Sequence, residues 1–158
     1  MDIIKTRRLI LKKLEREDAK EYFKISHDEK VAMFLSYAYC KDMNEALSFV
    51  NSICENTIYK GDFGIINRMN QLIGLVTYEK VNYKTIKFNI FIGEKFRGNS
   101  YASEAIQAVK EALQVKSSAR NYTVICSRTN ASKRMIEKLR GKEVLDDSNE
   151  KFQIVLIK

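Results

Sequence analysis

Proline and tryptophan are absent from this chain of 158 residues, histidine occurs once and glycine six times. Without proline, and with so little glycine, no stretch has the composition of a linker or a low-complexity segment. No internal repeat stands out either. The lone histidine, His27, argues against a histidine-based triad or zinc site and reads as a surface residue near a helix end. The three cysteines, Cys40, Cys54 and Cys126, are odd in number and lack metal-site spacing. They predict reduced thiols in a cytoplasmic protein. No apolar run approaches the ~20 residues that cross a membrane. The opening Met1-Asp2-Ile3-Ile4-Lys5-Thr6 lacks the apolar centre of a signal peptide. Two phosphate-binding glycine patterns are missing as well: neither G-x-G-x-x-G nor G-x-x-x-x-G-K-S/T occurs.

What is present describes a folded chain. Hydrophobic residues make up 45% and charged residues 30%, a globular rather than a disordered balance. One domain over residues 1–158 is expected, long enough to bury a real core. The 28 Lys and Arg against 20 Asp and Glu leave a net charge of +8. These cations are spread through every segment with no dense basic run. They read as a solvated basic surface and argue against a nucleic-acid site.

Periodicity places the elements. Arg8 to Leu14 reads as the first strand, with Leu9 and Leu11 on one face, and Glu17 to Ser26 as a helix. Val31 to Cys40 is aromatic and poorly periodic. Asp42 begins the next helix, with Glu45 in a capping-box-like position and Met43, Ala46, Leu47, Val50 and Ile53 as its buried stripe. Phe63 to Asn67, Leu72 to Val81 and Thr85 to Gly93 read as three antiparallel strands. Tyr122 to Ser127 reads as a strand parallel to the one ending at Gly93, because a helix joins them. Ala131 to Leu139 is a short helix, Asp146 to Asn149 a turn, and Phe152 to Ile157 a last strand.

The most informative stretch runs from Phe91 to Ala105. Ile86, Phe88 and Ile90 alternate with polar residues before it, and Ala102, Ala105, Ile106, Val109, Ala112 and Leu113 form a helical stripe after it. Between strand and helix lies a basic turn with Lys95, Arg97 and Gly98. A helix start offers unpaired N–H groups and the positive end of the helix dipole, which favour an anion. Gly98 permits a positive φ or a close ligand approach, and the small Asn99, Ser100 and Ala102 leave that approach open. Read from its residues alone, the same turn also fits an ordinary strand-to-helix connection.

The order Lys95-Phe96-Arg97-Gly98-Asn99-Ser100 resembles the acetyl-CoA loop of the GNAT N-acetyltransferase superfamily, Q/R-x-x-G-x-G/A. Tyr101-Ala102-Ser103-Glu104-Ala105 is similar to the G-Y-A-T-E-A ending of its ribosomal-protein N-acetyltransferase-like branch. Thr6-Arg7-Arg8-Leu9, Ile73-Gly74 and Glu137-Lys138-Leu139 extend the likeness over nearly the whole chain. The resemblance implies an α/β (α+β) GNAT fold, a mixed, mostly antiparallel sheet of about six to seven strands flanked by about four helices. It implies acetyl-CoA as co-substrate, no metal, and acetyl transfer to a primary amine, either a protein N-terminus or a small molecule. Such a protein would be a monomer or homodimer. The positive field suits the phosphates of coenzyme A. Two other classes remain open: a coenzyme-A-binding regulatory module without catalysis, and a basic RNA-associated protein of the same fold.

By the same resemblance, backbone groups of Ile90, Phe91 and Ile92 hold the pantetheine arm, and amides from Arg97, Gly98, Asn99, Ser100, Tyr101 and Ala102 hold the pyrophosphate. Val31 to Cys40 lies beside the acceptor groove, where its aromatics either shape substrate choice or cover the core. Three departures from the pattern matter. Ser100 replaces a glycine or alanine. The asparagine of N-x-x-S falls on Thr129, with Asn130 one residue later; an amide can donate and accept, which favours Asn130 as the cofactor contact. No tyrosine lies on the last helix, so Ser132 is the candidate proton donor to the departing thiolate, or else a helix cap. Glu79 and Glu94 are the candidates for general base, while Glu104 reads as structural. The short Asp146 to Asn149 turn implies a reduced wall at the acceptor site.

Overall fold

The computed structural model describes residues 2–144 and 152–157. The chain opens with a hairpin of β1 (Ile3–Lys5) and β2 (Leu9–Lys12). Helices α1 (Ala19–Ser26), α2 (Glu29–Phe34) and α3 (Met43–Ser52) follow. Strands β3 (Lys60–Asn67), β4 (Leu72–Lys80) and β5 (Thr85–Ile92) then run as an antiparallel meander. Helix α4 (Tyr101–Lys116) crosses over to β6 (Asn121–Ser127), and α5 (Asn130–Lys138), β7 (Lys142–Val144) and β8 (Phe152–Ile157) complete the described chain.

The eight strands among the described residues form one sheet in the order β1-β2-β3-β4-β5-β6-β8-β7, in which, among those residues, only β5 and β6 are parallel. The sheet is thus mixed and mostly antiparallel, with one strand more than expected. The strands that periodicity did not place are β1 and β7, three residues each and too short for alternation to show in the sequence. Helix α2 is a further element the sequence did not reveal. It lies at the start of the aromatic stretch and is capped by Asp28, whose carboxylate accepts the Lys30 N–H at 2.9 Å. Asp42 caps α3 as expected, accepting the Glu45 N–H at 2.9 Å, while Glu45 reaches back to the Lys41 N–H at 2.7 Å. The expected Asp146 to Asn149 turn lies outside the described residues.

Two apolar layers sandwich the sheet. Phe63, Ile86, Phe88, Tyr122 and Val124 pack with Ala105, Ile106, Val109 and Leu113 of α4 on one face. Leu75 and Phe91 pack with Tyr22, Ile25, Val31 and Val50 of α1, α2 and α3 on the other. Strand β4 is buried from Leu72 to Tyr78 because helices cover it from both sides. No helix among the described residues is long and apolar enough to cross a membrane.

Candidate active site

The parallel pairing of β5 with β6 is short. It runs from Thr85 opposite Asn121 to Phe88 opposite Val124 and stops. Beyond that point β5 continues to Ile92 and β6 to Ser127, each held from its other side by β4 and β8. The backbone groups of Ile90 and Ile92 therefore face an opening in which β6 supplies no partner, while Phe91 between them pairs with Leu75 of β4. The opening widens into a cleft of about 710 Å³, with Ile90, Phe91 and Ile92 on one wall, Ile125 and Cys126 on the other, and the start of α4 at its end. The sheet can be parted here because its two halves are anchored separately.

The start of α4 has the features that can receive an anion. No side chain caps it, although it is a helix of 16 residues. Gly98 has φ +86°, and a Cβ built there would meet nothing within 4 Å, so the turn is open toward the cleft. Ser100 stands at the N-cap with φ 63°, a left-handed conformation that costs an L-residue roughly 1–2 kcal/mol. That is the physical reason for a glycine at this place in the pattern. The Ser100 hydroxyl does not crowd the amides; it accepts a hydrogen bond from Lys138 Nζ at 2.6 Å, linking α4 to α5 over the cleft.

The remaining parts of the loop are structural. Arg97 donates through Nε to the Ile92 carbonyl at 2.8 Å and pairs with Asp28 at 3.0 Å, so its guanidinium ties the turn to β5 and α2. Asn99 donates to the Phe96 carbonyl at 3.1 Å. Glu104 accepts from the Thr6 hydroxyl at 2.6 Å, the Arg8 N–H at 3.0 Å and Arg8 Nε at 2.7 Å. Burial alone would raise the Glu104 carboxyl, but these bonds and the Arg8 charge outweigh it and hold the group below its usual range. Arg8 also lies over the Tyr101 ring, 4.7 Å from its centre. The Thr6-Arg7-Arg8 and Tyr101-to-Ala105 motifs, far apart in sequence, are thus one network that sets the aim of α4.

On the β6 side, Thr129 caps α5: its hydroxyl oxygen accepts the Ser132 N–H at 3.2 Å and lies 3.1 Å from Ser132 Oγ. Thr129 and Ser132 both line the cleft. Asn130 is exposed at the first turn of α5 and does not line the cleft, a placement that runs against the preference for it over Thr129. Glu79 and Glu94 do not line it either. Glu79 is paired with Lys87 at 2.7 Å, beside the paired part of β5 and β6 and two residues along β4 from the start of the opening. Glu94 is exposed in the 3-10 turn Glu94–Phe96. The structure does not bring these carboxylates to the splay.

Sequence reading named Arg97 but missed the rest of the basic rim. Lys30 of α2, Arg97 of the turn before α4, Arg128 of the turn before α5, and Arg134 and Lys138 of α5 line the cleft. Only the Arg134–Lys138 spacing, one turn of helix, was a signal available beforehand. Cys126 was also missed. It is buried on the cleft wall, and burial pushes its thiol up to about 11, so it is protonated at neutral pH. Among the described residues no group of side chains is arranged to hold a metal ion.

A model of the GNAT acetyltransferase domain matches residues 8–142. A GNAT-family acetyltransferase from Bacillus anthracis superposes with a TM-score of 0.77 at 21% identity, covering 98% of this chain and 95% of that one. The microcin C7 self-immunity acetyltransferase MccE, solved with acetyl-CoA and AMP, gives 0.75 at 12% identity, covering 97% and 93%. An acetyl transferase from Salmonella typhimurium, described as modifying the N-terminal serine of ribosomal protein L7/L12, gives 0.72 at 16% identity, covering 98% and 96%. Among curated proteins no match is found.

Proposed function

Because the chain belongs to the GNAT acetyltransferase domain family, we propose that it moves an acetyl group from acetyl-CoA to a primary amine by direct attack in a ternary complex. The observation that carries this reading is the meeting of the β5–β6 splay with the uncapped start of α4 in one cleft. The residues present fit the co-substrate. The open turn at Gly98 admits a pyrophosphate to the first amides of α4. The edge of β5 from Ile90 to Ile92 suits an extended amide-bearing arm, which would bind there as an added strand. The cationic rim offsets the phosphate charges, and Lys138 on Ser100 keeps one cation at the mouth.

Bound acetyl-CoA supplies an activated thioester. Backbone N–H groups near the splay polarise its carbonyl as charge develops on the oxygen. Ser132 donates to the leaving sulfur. Thr129 positions it by accepting the Ser132 backbone N–H and bringing its own hydroxyl to Ser132 Oγ. Direct attack is favoured over an acyl-enzyme because Cys126, the cysteine on the cleft wall, is a protonated, buried thiol. The acceptor class includes protein N-termini, as described for the Salmonella neighbour, and small amines. The test is free-thiol release from acetyl-CoA with a panel of amines and basic N-terminal peptides. Binding of coenzyme A with no turnover on any of them would leave a regulatory module and defeat the enzymatic reading.

A further inference from the structure

The sheet face under α1, α2 and α3 carries a polar row beside the cleft that the mechanism above does not use. Asp62 of β3 stands opposite Thr77 of β4, and Thr77 opposite Asn89 of β5. Alternation along each strand puts these three side chains on one face, the face of Leu75 and Phe91. Tyr37, from the segment after α2, reaches over the row. Its hydroxyl lies 2.6 Å from Thr77 Oγ1 and also interacts with Asn89. Asn89 is the first β5 residue past the last β5–β6 pair, so it marks the vertex of the splay.

Asp62 ends the row, two strand spacings or ~10 Å from Asn89. Its backbone N–H donates to Asn56 Oδ1 at 2.8 Å, but its carboxylate has no hydrogen bond or ion pair among the described residues. Burial raises its carboxyl above the usual range, and the field of Lys60 only partly opposes this. Glu79, in the next row, is already paired with Lys87. A half-buried carboxylate without a partner is costly, and a cation brought to it is correspondingly favoured. The Tyr37 ring, on a residue 52% exposed, supplies a wall for an aliphatic stem between vertex and carboxylate.

We propose that Asp62 anchors a second positive charge on the acceptor, so that the substrate class is a dicationic amine, one nitrogen reacting beside Asn89 and the other paired with Asp62. This rests on the acetyl-transfer reading above. Asp62 takes no part in the proton balance: the reacting nitrogen forms the N–C bond, the C–S bond breaks, and the nitrogen's protons pass to solvent and to the leaving sulfur. Asp62 is therefore a specificity residue.

Calorimetry tests this in two stages: coenzyme A is titrated first, then cadaverine, a five-carbon diamine, or pentylamine is added to the coenzyme-A-bound protein. The wild type should bind cadaverine at least about tenfold more tightly than pentylamine, the size of one charge-assisted hydrogen bond. Asp62→Asn should cut that preference to within about twofold, and Asp62→Glu should keep most of it. In turnover, Asp62→Asn should raise KM for cadaverine far more than it lowers kcat. If coenzyme A gives no binding, the acetyl-transfer reading itself falls. If it binds but the wild type does not prefer cadaverine, the anchor is refuted while that reading stands, and this comparison decides even where Asp62→Asn does not fold. Retained preference in Asp62→Asn, or an equal fall in kcat for both amines, also overturns it; the latter assigns Asp62 to proton removal.

Discussion

At the scale of single residues, the structure separates two hydroxyls that the sequence left entangled. The cap of α5 belongs to Thr129, which accepts the Ser132 N–H. Thr129→Ala should cost about 1 kcal/mol of stability, seen as a lower melting temperature. Ser132→Ala should leave the melting temperature nearly unchanged and lower kcat and kcat/KM together by about a hundredfold, since a thiolate donor acts in the transition state. A Ser132→Ala enzyme with kcat near wild type would mean that water protonates the sulfur. Gly98 makes a second residue-scale case. With φ +86° and no neighbouring atom within 4 Å, a methyl there strains the backbone and points into the space an anion would use. Gly98→Ala should weaken acetyl-CoA binding by about tenfold, 1.4 kcal/mol, and equal affinities by calorimetry would remove the pyrophosphate from this turn.

At the scale of elements, the aim of α4 depends on the β1–β2 turn through Glu104. Because the folded carboxyl is held below its ordinary range, its contribution is present above the unfolded Glu pKa of about 4.3 and is lost as pH falls through the lower folded value. Denaturant titrations across that acidic window should show stability falling in the wild type more steeply than in Glu104→Gln. The same variant should bind acetyl-CoA more weakly at neutral pH, because an untethered helix start no longer presents its amides in one direction. Across the cleft, Lys138 bonded to Ser100 joins α5 to α4. Lys138→Ala should raise the acetyl-CoA dissociation constant, and the deficit should shrink at about 1 M salt, where charges are screened beyond about 3 Å. A salt-independent deficit would assign Lys138 to packing instead.

At the scale of the whole molecule, the sheet is two halves, β1 to β5 and β6 to β8, joined by the short β5–β6 pairing and by α4 packed over it. A ligand strand in the splay would extend the junction, binding the folded state and not the unfolded one. At a hundred times its dissociation constant acetyl-CoA should add about 2.7 kcal/mol to stability. For a chain of this size that is a rise of roughly 5–10 °C in melting temperature. Hydrogen exchange should slow most at Ile90 and Ile92, whose N–H groups point away from β4 and which β6 leaves unpaired. Protection confined to α4 would place the arm elsewhere.

The fold was legible because its signals are local. Alternation in Ile86, Phe88 and Ile90, the stripe from Ala102 to Leu113, and the Asp42 cap each report the face or end of one element within a few residues. Strands β1 and β7 and helix α2 escaped because three and six residues are too few for a period to show. The open turn before α4 was legible for the same local reason, since Gly98 and its neighbours are consecutive. What only the tertiary structure decided are relations between residues distant in the chain. Register placed Asp62 and Thr77 in a row with Asn89, set Glu79 away from the splay against Lys87, and gathered Lys30, Arg128 and Lys138 on one rim. A side chain's neighbours across a sheet depend on where each strand stops and pairs, and that is settled by the packing of two apolar layers together, not by any single stretch of sequence.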